Sequence, residues 1–157
     1  MFAVPPNTVA TAAPLTNAHP VRLAREYAHS RRRWAHLLRY DPESRWFTRI
    51  QRTGEHEVWL MSWLPGQATD LHDHGGATGA FTVVSGVLDE RVVRTDGPAE
   101  ALHTVHPGQS RVFGPNYVHQ VRNDGPDPAV SVHVYRAARV PMTHYHLDPV
   151  TGLSKVD

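Results

Sequence analysis

Short apolar runs separated by turn residues occupy the chain from residue 46 onward, and they limit it to a fold built from many short strands. Turn-forming pairs such as Thr53-Gly54 and Pro65-Gly66 stand between the runs. The predicted strands are 46–50, 57–63, 79–85, 88–93, 101–105, 110–113, 118–121, 129–135 and 143–147. Short strands in such number, with no long helices between them, indicate a β-sandwich or a small barrel.

Two short helices are predicted ahead of these strands, over 21–29 and 31–38, because their apolar residues recur with helical spacing. Thr16 and Asn17 have the side chains that cap a helix, and they precede the first of these segments. The basic run Arg31–Arg33 begins the second helix and is expected to be a solvated face rather than a nucleic-acid patch.

The length of 157 residues predicts one domain with a proper core. Residues 1–20, rich in Ala, Pro and Thr, are expected to form a flexible arm. The domain then covers 21–157, with helices at about 21–40 and the barrel at about 46–157.

Composition excludes several functional classes. The formal charge is +1, with 16 Lys and Arg against 15 Asp and Glu, so neither a nucleic-acid partner nor a membrane partner is expected. The chain has no cysteine, which rules out disulfides and thiolate metal ligands and leaves imidazole and oxygen. The first twenty residues make a poor signal peptide, and no apolar run is long enough to cross a membrane, so the cytoplasm is the expected location.

Two histidines stand two residues apart in a glycine-flanked segment, residues 66–86, which reads GQATDLHDHGGATGAFTVVSG. A strand places alternate residues on one face, so His72 and His74 can converge on a single ion. An isolated H-x-H is more often a pair of solvated histidines on a surface strand. A second segment, residues 108–123, reads GQSRVFGPNYVHQVRN and offers a third imidazole at His119.

Together the two segments resemble the two motifs of the cupin superfamily, which implies an all-β jelly-roll barrel. His72, His74 and His119 stand at the ligand positions, whereas Gly79 replaces the glutamate that usually binds the metal. The turn of the second motif is rearranged and contains Asn116, which tolerates a left-handed turn conformation better than most residues.

Three imidazoles without a carboxylate narrow the chemistry of such a site. A face of two histidines and one carboxylate suits non-haem iron oxygenases, and replacing the acid leaves the site one negative charge short. A substrate thiolate that binds the metal can restore that charge. Among cupins, the three-histidine set is similar to the cysteine dioxygenase family of thiol dioxygenases, which implies Fe2+ as the cofactor. The ligands alone equally suit zinc.

The segment 129–136, AVSVHVYR, alternates polar side chains with valines. The polar row of Ser131, His133 and Tyr135 faces either water or the lumen of a barrel. It resembles the Ser-His-Tyr row of cysteine dioxygenases, which implies catalytic roles and a tyrosine hydroxyl that points at the iron. Animal members link that tyrosine to a cysteine at the place of Gly79, so Tyr135 is expected to stay free here.

Substrate-binding residues are implied by the same resemblance. Arg49 stands at the position of the arginine that binds the substrate carboxylate, although an isolated arginine on a strand is usually an exposed charge. Phe47 falls where animal members have a tyrosine. Trp63 and Met61 are expected either to form an apolar wall of the substrate pocket or to pack in the core.

The resemblance implies a mononuclear iron dioxygenase that oxidises L-cysteine with O2 to cysteine sulfinate. The protein is expected to act as a monomer. Its partners would be the small thiol and O2. Two alternatives stay open: a dioxygenase of another thiol such as 3-mercaptopropionate, and a non-catalytic metal-binding cupin that senses a small molecule. Arg49 and the polar row argue against the second alternative, because metal binding alone requires neither.

Overall fold

Two antiparallel sheets packed face to face form the body of the protein. The computed structural model describes residues 19–95, 100–136 and 142–156. The strands are β1 (Phe47–Arg52), β2 (His56–Trp63), β3 (Leu71–Asp73), β4 (Gly79–Ser85), β5 (Leu88–Val93), β6 (Glu100–Val105), β7 (Ser110–Phe113), β8 (Val118–Arg122), β9 (Ala129–Arg136), β10 (Thr143–Asp148) and β11 (Gly152–Lys155). One sheet has the order β1-β2-β9-β4-β7, and the other has the order β11-β10-β3-β8-β5-β6. This arrangement confirms the predicted all-β jelly roll.

The helical flank consists of α1 (Pro20–His29) and two 3-10 turns, Arg31–Arg33 and Ala35–Leu37. Helix α1 packs on the outer face of the first sheet. Val130, Val132 and Val134 of β9 lie in the cluster beneath it and are almost fully buried. The alternate side chains of β9 therefore face the space between the sheets, which decides between the two orientations that the sequence left open for the polar row.

The prediction of one continuous helix over 31–38 is wrong, because two separate 3-10 turns occupy this segment. Trp34 interrupts it with a φ of −142° and is itself fully buried. Its indole N–H donates to the carbonyl of Tyr27 over 2.7 Å. Burial of this large ring against α1 pulls the backbone out of helical geometry, so that two 3-10 turns replace a continuous helix.

The start of the first helix also differs slightly from the prediction. It begins at Pro20, and the His19 side chain caps it by accepting a hydrogen bond from the backbone N–H of Val21 over 3.1 Å. Thr16 and Asn17, the predicted caps, lie outside the described residues, as does almost all of the predicted arm.

Two strands were not predicted, β3 and β11. Both are short, with three and four residues, and neither has an alternating apolar pattern. The turn between β7 and β8 has Asn116 at a φ of 60°, which confirms the left-handed conformation expected there. Among the described residues, no helix is long and apolar enough to cross a membrane.

Candidate functional site

A cavity of about 910 Å³ opens between the two sheets. His72, His74 and His119 line it, together with Arg45, Met61 and Tyr135. The three histidines come from β3, from the residue directly after β3, and from β8. Because β3 pairs with β8 so that His72 lies opposite His119, the two cupin-like segments meet in space at their histidines.

The ε nitrogens of the three rings converge. Nε2 of His74 lies 3.2 Å from Nε2 of His72 and 3.2 Å from Nε2 of His119. Ligand nitrogens about 2.1 Å from one shared cation would lie roughly 3.0–3.4 Å apart, so these separations fit a metal ion. Within the ranges that the structure describes, these histidines form the one group of three or more His, Cys, Asp or Glu side chains gathered closely enough to hold a metal.

The outer nitrogens fix how two of these rings are protonated. Nδ1 of His72 lies 2.8 Å from the carbonyl of Asp70, which can only accept a hydrogen bond. Nδ1 of His119 lies 3.0 Å from a carboxylate oxygen of Glu90. Both rings therefore carry their proton on Nδ1 and direct an unprotonated Nε2 toward the shared point, as metal ligands must.

Burial keeps two of the rings neutral. Burial, together with the nearby imidazole of His119, lowers the pKa of His72 to about 4. Burial, together with the imidazoles of His72 and His119, lowers the pKa of His74 to about 2. At neutral pH these imidazoles can bind a cation without first losing a proton.

The place of the missing acid is filled by an aromatic ring. A Cβ atom on Gly79 would lie 2.4 Å from two ring atoms of Phe113 and 2.9 Å from the carbonyl of Val134. The same ring stacks on His74, with 4.7 Å between centroids and an interplanar angle of 25°. A glutamate at residue 79 therefore has no room unless this ring moves.

The polar row of β9 forms a hydrogen-bonded chain that begins at a buried indole. Nε1–H of Trp63 donates to the hydroxyl of Ser131 over 2.9 Å, and that hydroxyl lies 2.7 Å from Nε2 of His133. Burial lowers the pKa of His133 well below its ordinary value, so the ring is neutral. Since an indole can only donate, the serine hydroxyl is left to donate its own proton to His133.

Tyr135 ends this chain at the cavity. Because Nε2 of His133 accepts a hydrogen bond from Ser131, the ring proton of His133 lies on Nδ1. This nitrogen is 3.5 Å from the hydroxyl oxygen of Tyr135. The tyrosine oxygen can accept there and keep its own proton for the cavity that it lines. Burial raises the pKa of Tyr135 well above its ordinary value, so this group is a phenol that donates rather than a phenolate. Its ring centroid lies 4.7 Å from that of His74.

Arg49 does not line the cavity. Its guanidinium lies 3.3 Å from a carboxylate oxygen of Glu57, and 42% of its side chain is exposed. Its guanidinium carbon also lies 5.9 Å from the ring centroid of Trp59. The arginine that sequence comparison indicated is therefore at the rim and already paired.

A different arginine, Arg45, lines the cavity. Its guanidinium carbon lies 4.9 Å from the ring centroid of Trp63 and 5.3 Å from that of Phe47. Burial lowers its pKa from the ordinary arginine value. Among the described residues, no carboxylate forms a salt bridge with Arg45, so this charge is available to an anionic ligand.

The other two predicted substrate residues occupy different positions around Arg45. Phe47 lines the cavity and is 50% exposed, which places it at the mouth. Trp63 is fully buried and supports both Arg45 and Ser131 from behind. Arg45 was missed: it stands two residues before Phe47 but precedes β1, so the two-residue period of that strand does not fix where its side chain lies.

The fold and the histidine cluster define a cupin with three buried histidines that could hold a metal ion. The family model for cysteine dioxygenase type I matches residues 12–146, which is most of the chain. The protein therefore belongs to the cysteine dioxygenase type I family.

Solved structures agree with this fold. The Thermus thermophilus protein TT1209 is 29% identical, with a TM-score of 0.56 over 65% of this chain and 91% of its own. An uncharacterised Klebsiella pneumoniae protein with a double-stranded β-helix domain is 20% identical, with a TM-score of 0.62 over 70% of this chain and 86% of its own. Oxalate oxidase in complex with glycolate is 19% identical, with a TM-score of 0.57 over 65% of this chain and 55% of its own. The last two show a shared fold alone.

Proposed function

We propose that this protein is an iron-dependent dioxygenase that oxidises L-cysteine with O2 to cysteine sulfinate. Family membership and the three-histidine site suggest a metal-dependent thiol dioxygenase. The single observation that carries the proposal for cysteine is the composition of one cavity, in which three metal-ligating nitrogens, a phenol donor and an unpaired guanidinium are brought together. A carboxylate-bearing small thiol is the ligand that these groups fit.

The metal proposed for the site is Fe2+, held by His72, His74 and His119. Bound there, Fe2+ supplies Lewis acidity toward a thiolate and the electron transfer that O2 requires. Three neutral imidazoles leave both charges of the cation uncompensated. The site therefore favours an anionic sulfur ligand over a neutral one, which distinguishes it from sites that contain a carboxylate.

The substrate carboxylate is assigned to Arg45. A planar guanidinium can form two parallel hydrogen bonds to a carboxylate, and Arg45 is a cavity arginine free of a competing acid among the described residues. Arg49, the residue that the family resemblance indicated, stays a prediction for this role. It would have to give up its contact with Glu57 before it could bind a substrate.

Tyr135 is assigned as the hydrogen-bond donor to the reacting atoms. In the overall reaction, a thiolate and one O2 give a sulfinate, so negative charge moves from sulfur onto two oxygens and no further reductant is needed. A buried phenol that keeps its proton can stabilise that developing oxygen charge. Ser131 and His133 act through Tyr135, because their contacts hold its oxygen as an acceptor from the far side.

Oxygen consumption by the iron-loaded protein tests the proposal. The protein is loaded with Fe2+ without air and then given O2 with L-cysteine, 3-mercaptopropionate or cysteamine. We expect one O2 consumed per cysteine and a product heavier by two oxygen atoms. If no small thiol supports uptake, the non-catalytic metal-binding cupin becomes the better account. Faster turnover of 3-mercaptopropionate, which has no amine, would refute cysteine as the substrate and leave the thiol dioxygenase standing.

Several remaining features also stay predictions. The protein is expected to act as a monomer in the cytoplasm, with the thiol and O2 as its partners and with no nucleic-acid or membrane partner. Gel filtration with light scattering tests the first of these expectations directly.

A further inference from the structure

A fully buried carboxylate lies behind the metal site and outside the cavity. Glu90 belongs to β5, and its side chain has no exposed surface. In the pairing of β5 with β8, Glu90 lies opposite Val121 and Val92 lies opposite His119. Glu90 and His119 are thus diagonal neighbours on one face of the sheet, which brings their side chains within reach of each other.

Three donors converge on this carboxylate. Nδ1–H of His119 lies 3.0 Å from Oε1, and the Tyr117 hydroxyl donates to the same oxygen over 2.9 Å. Nε–H of Arg111 donates to Oε2 over 2.6 Å. Arg111, whose side chain is 30% exposed, also contacts the Tyr117 hydroxyl over 3.3 Å, which closes the network on its outer side.

Neutralisation of the buried charge does not explain the contact with His119. The ion pair with Arg111 already compensates Glu90, and Tyr117 occupies a further acceptor position. A backbone carbonyl would have sufficed to fix the ring of His119, as it does for His72, whose Nδ1 bonds to the neutral carbonyl of Asp70. The contact of His119 with Glu90, rather than with a neutral carbonyl, therefore has to be explained by the negative charge of Glu90.

We propose that Glu90 supplies, one hydrogen bond further out, the negative charge that the metal site lacks because Gly79 replaces the usual acid. By accepting a hydrogen bond from Nδ1–H of His119, Glu90 positions the imidazole ring and increases the electron density at Nε2. A carboxylate behind a metal-bound imidazole raises the basicity of that ligand. Glu90 is thus a positioning and charge-supplying residue that acts through His119. The inference rests on the proposed metal site.

Two consequences can be measured without any turnover. With Glu90 present, Fe2+ should bind more tightly because His119 is a better ligand. The affinity for Fe3+ should increase more than the affinity for Fe2+, because Fe3+ carries the greater charge. Replacement by a neutral residue, Glu90→Gln, is therefore expected to weaken Fe2+ binding by about 10–100-fold. It should also raise the Fe3+/Fe2+ potential, by about 60 mV for each tenfold that Fe3+ loses beyond Fe2+.

The experiment compares Glu90→Gln with two further variants in chelator competition and anaerobic redox titration with Fe2+, without thiol or O2. Glu57→Gln controls for long-range charge, because it removes a carboxylate that lines the cavity and, among the described residues, bonds to Arg49 and Trp59 rather than to the three histidines. Glu90→Asp keeps the charge and is expected to hold the potential closer to that of the native protein than Glu90→Gln does. If Glu90→Gln fails to fold, the affinity and potential are compared between Glu90→Asp and the native protein.

Several outcomes would overturn the inference. One is an unchanged affinity and potential in Glu90→Gln, and another is an equal shift in Glu57→Gln. Equal shifts in Glu90→Gln and Glu90→Asp would show that side-chain shape rather than charge is responsible. These outcomes are distinct from failure of the proposed function, because a native protein that binds Fe2+ but oxidises no thiol still reports on Glu90. A native protein that binds no Fe2+ would refute both.

Discussion

Replacing the cavity arginine tests which guanidinium binds the substrate. Arg45 is half-buried, packs against Trp63 and has no salt bridge among the described residues, whereas the Arg49 side chain is 42% exposed and already paired. Removing one partner of a desolvated charged pair costs about 2–5 kcal/mol. An exposed charge pair contributes about 0–1 kcal/mol. Arg45→Gln should therefore lower kcat/KM for L-cysteine by about 30- to 5,000-fold, and Arg49→Gln by less than about fivefold.

Steady-state O2 uptake with two substrates separates carboxylate binding from other effects. Cysteamine keeps the thiol and amine of cysteine but lacks the carboxylate, so its turnover should fall far less in Arg45→Gln than that of cysteine. Thermal melting of both variants shows whether packing against Trp63 has been lost. A larger loss in Arg49→Gln than in Arg45→Gln would show that the reasoning from the cavity is wrong and that the family-based prediction is right. Equal losses for both substrates would mean that Arg45 does not act on the carboxylate.

Four further outcomes are expected. His119→Ala should abolish iron retention, as measured by metal analysis after gel filtration, while the fold persists in circular dichroism. Tyr135→Phe should retain iron but lose about tenfold or more in kcat, because one donor to the reacting oxygens is removed. Metal-free protein should lose stability to urea between pH 7 and pH 5, by about 2 kcal/mol for each of His72 and His74, because the unfolded chain binds protons there and the native site does not. Gly79→Ala should lower the free energy of unfolding by about 1–3 kcal/mol through overpacking.

Each of these expectations has a result that would contradict it. Full iron occupancy in His119→Ala would remove that residue from the site, and unchanged kcat in Tyr135→Phe would remove its hydroxyl from the reaction. An intact mass two hydrogens below the sequence mass would show that the tyrosine is crosslinked after all. A flat unfolding free energy from pH 7 to pH 5 would mean that the buried imidazoles are not held neutral. Native stability in Gly79→Ala would mean that the neighbouring ring yields freely.

The convergence of the three histidines was predictable because much of their geometry is local. The two-residue spacing of His72 and His74 guarantees a shared face near a strand, and the glycine pattern around each segment carries the family resemblance that brings His119 to them. The strand that contains His72 was nonetheless missed, since its three residues have no apolar alternation of their own. The sequence thus predicts the histidine cluster better than it predicts the strand that contains His72.

The substrate side of the cavity was harder to predict because arginines at alternate positions look alike in the sequence. Arg45 and Arg49 lie two residues before and two residues after Phe47, but Arg45 precedes β1 and Arg49 lies within it, and the difference in their surroundings comes from long-range partners. Glu57 reaches Arg49 across the β1–β2 pairing, where the register shifts just beyond that residue. Trp63 holds Arg45 in the cavity. Such partners are set by tertiary packing rather than by local propensity.

The acid behind His119 shows the same limit. Glu90 lies between Asp89 and Arg91, two charged residues that are only partly buried, so nothing in its sequence context indicates a fully buried side chain. Its burial becomes evident only when the pairing of β5 with β8 and the positions of Arg111 and Tyr117 are known. A single sequence cannot supply contacts that span about twenty to thirty residues.

The ring that covers Gly79 restricts how this site can change over evolutionary time. A Gly79→Glu change alone would push a carboxylate into Phe113, whereas Phe113→Ala alone would leave a cavity that costs about 3–5 kcal/mol. A site that adds an acid to the three histidines is therefore reached only by both changes together. Because the free energy of unfolding of a domain is only about 5–15 kcal/mol in total, either single change would remove a large part of it. The two positions are therefore expected to change as a pair, so that an aromatic side chain outside the histidine cluster restricts which ligands that cluster can acquire.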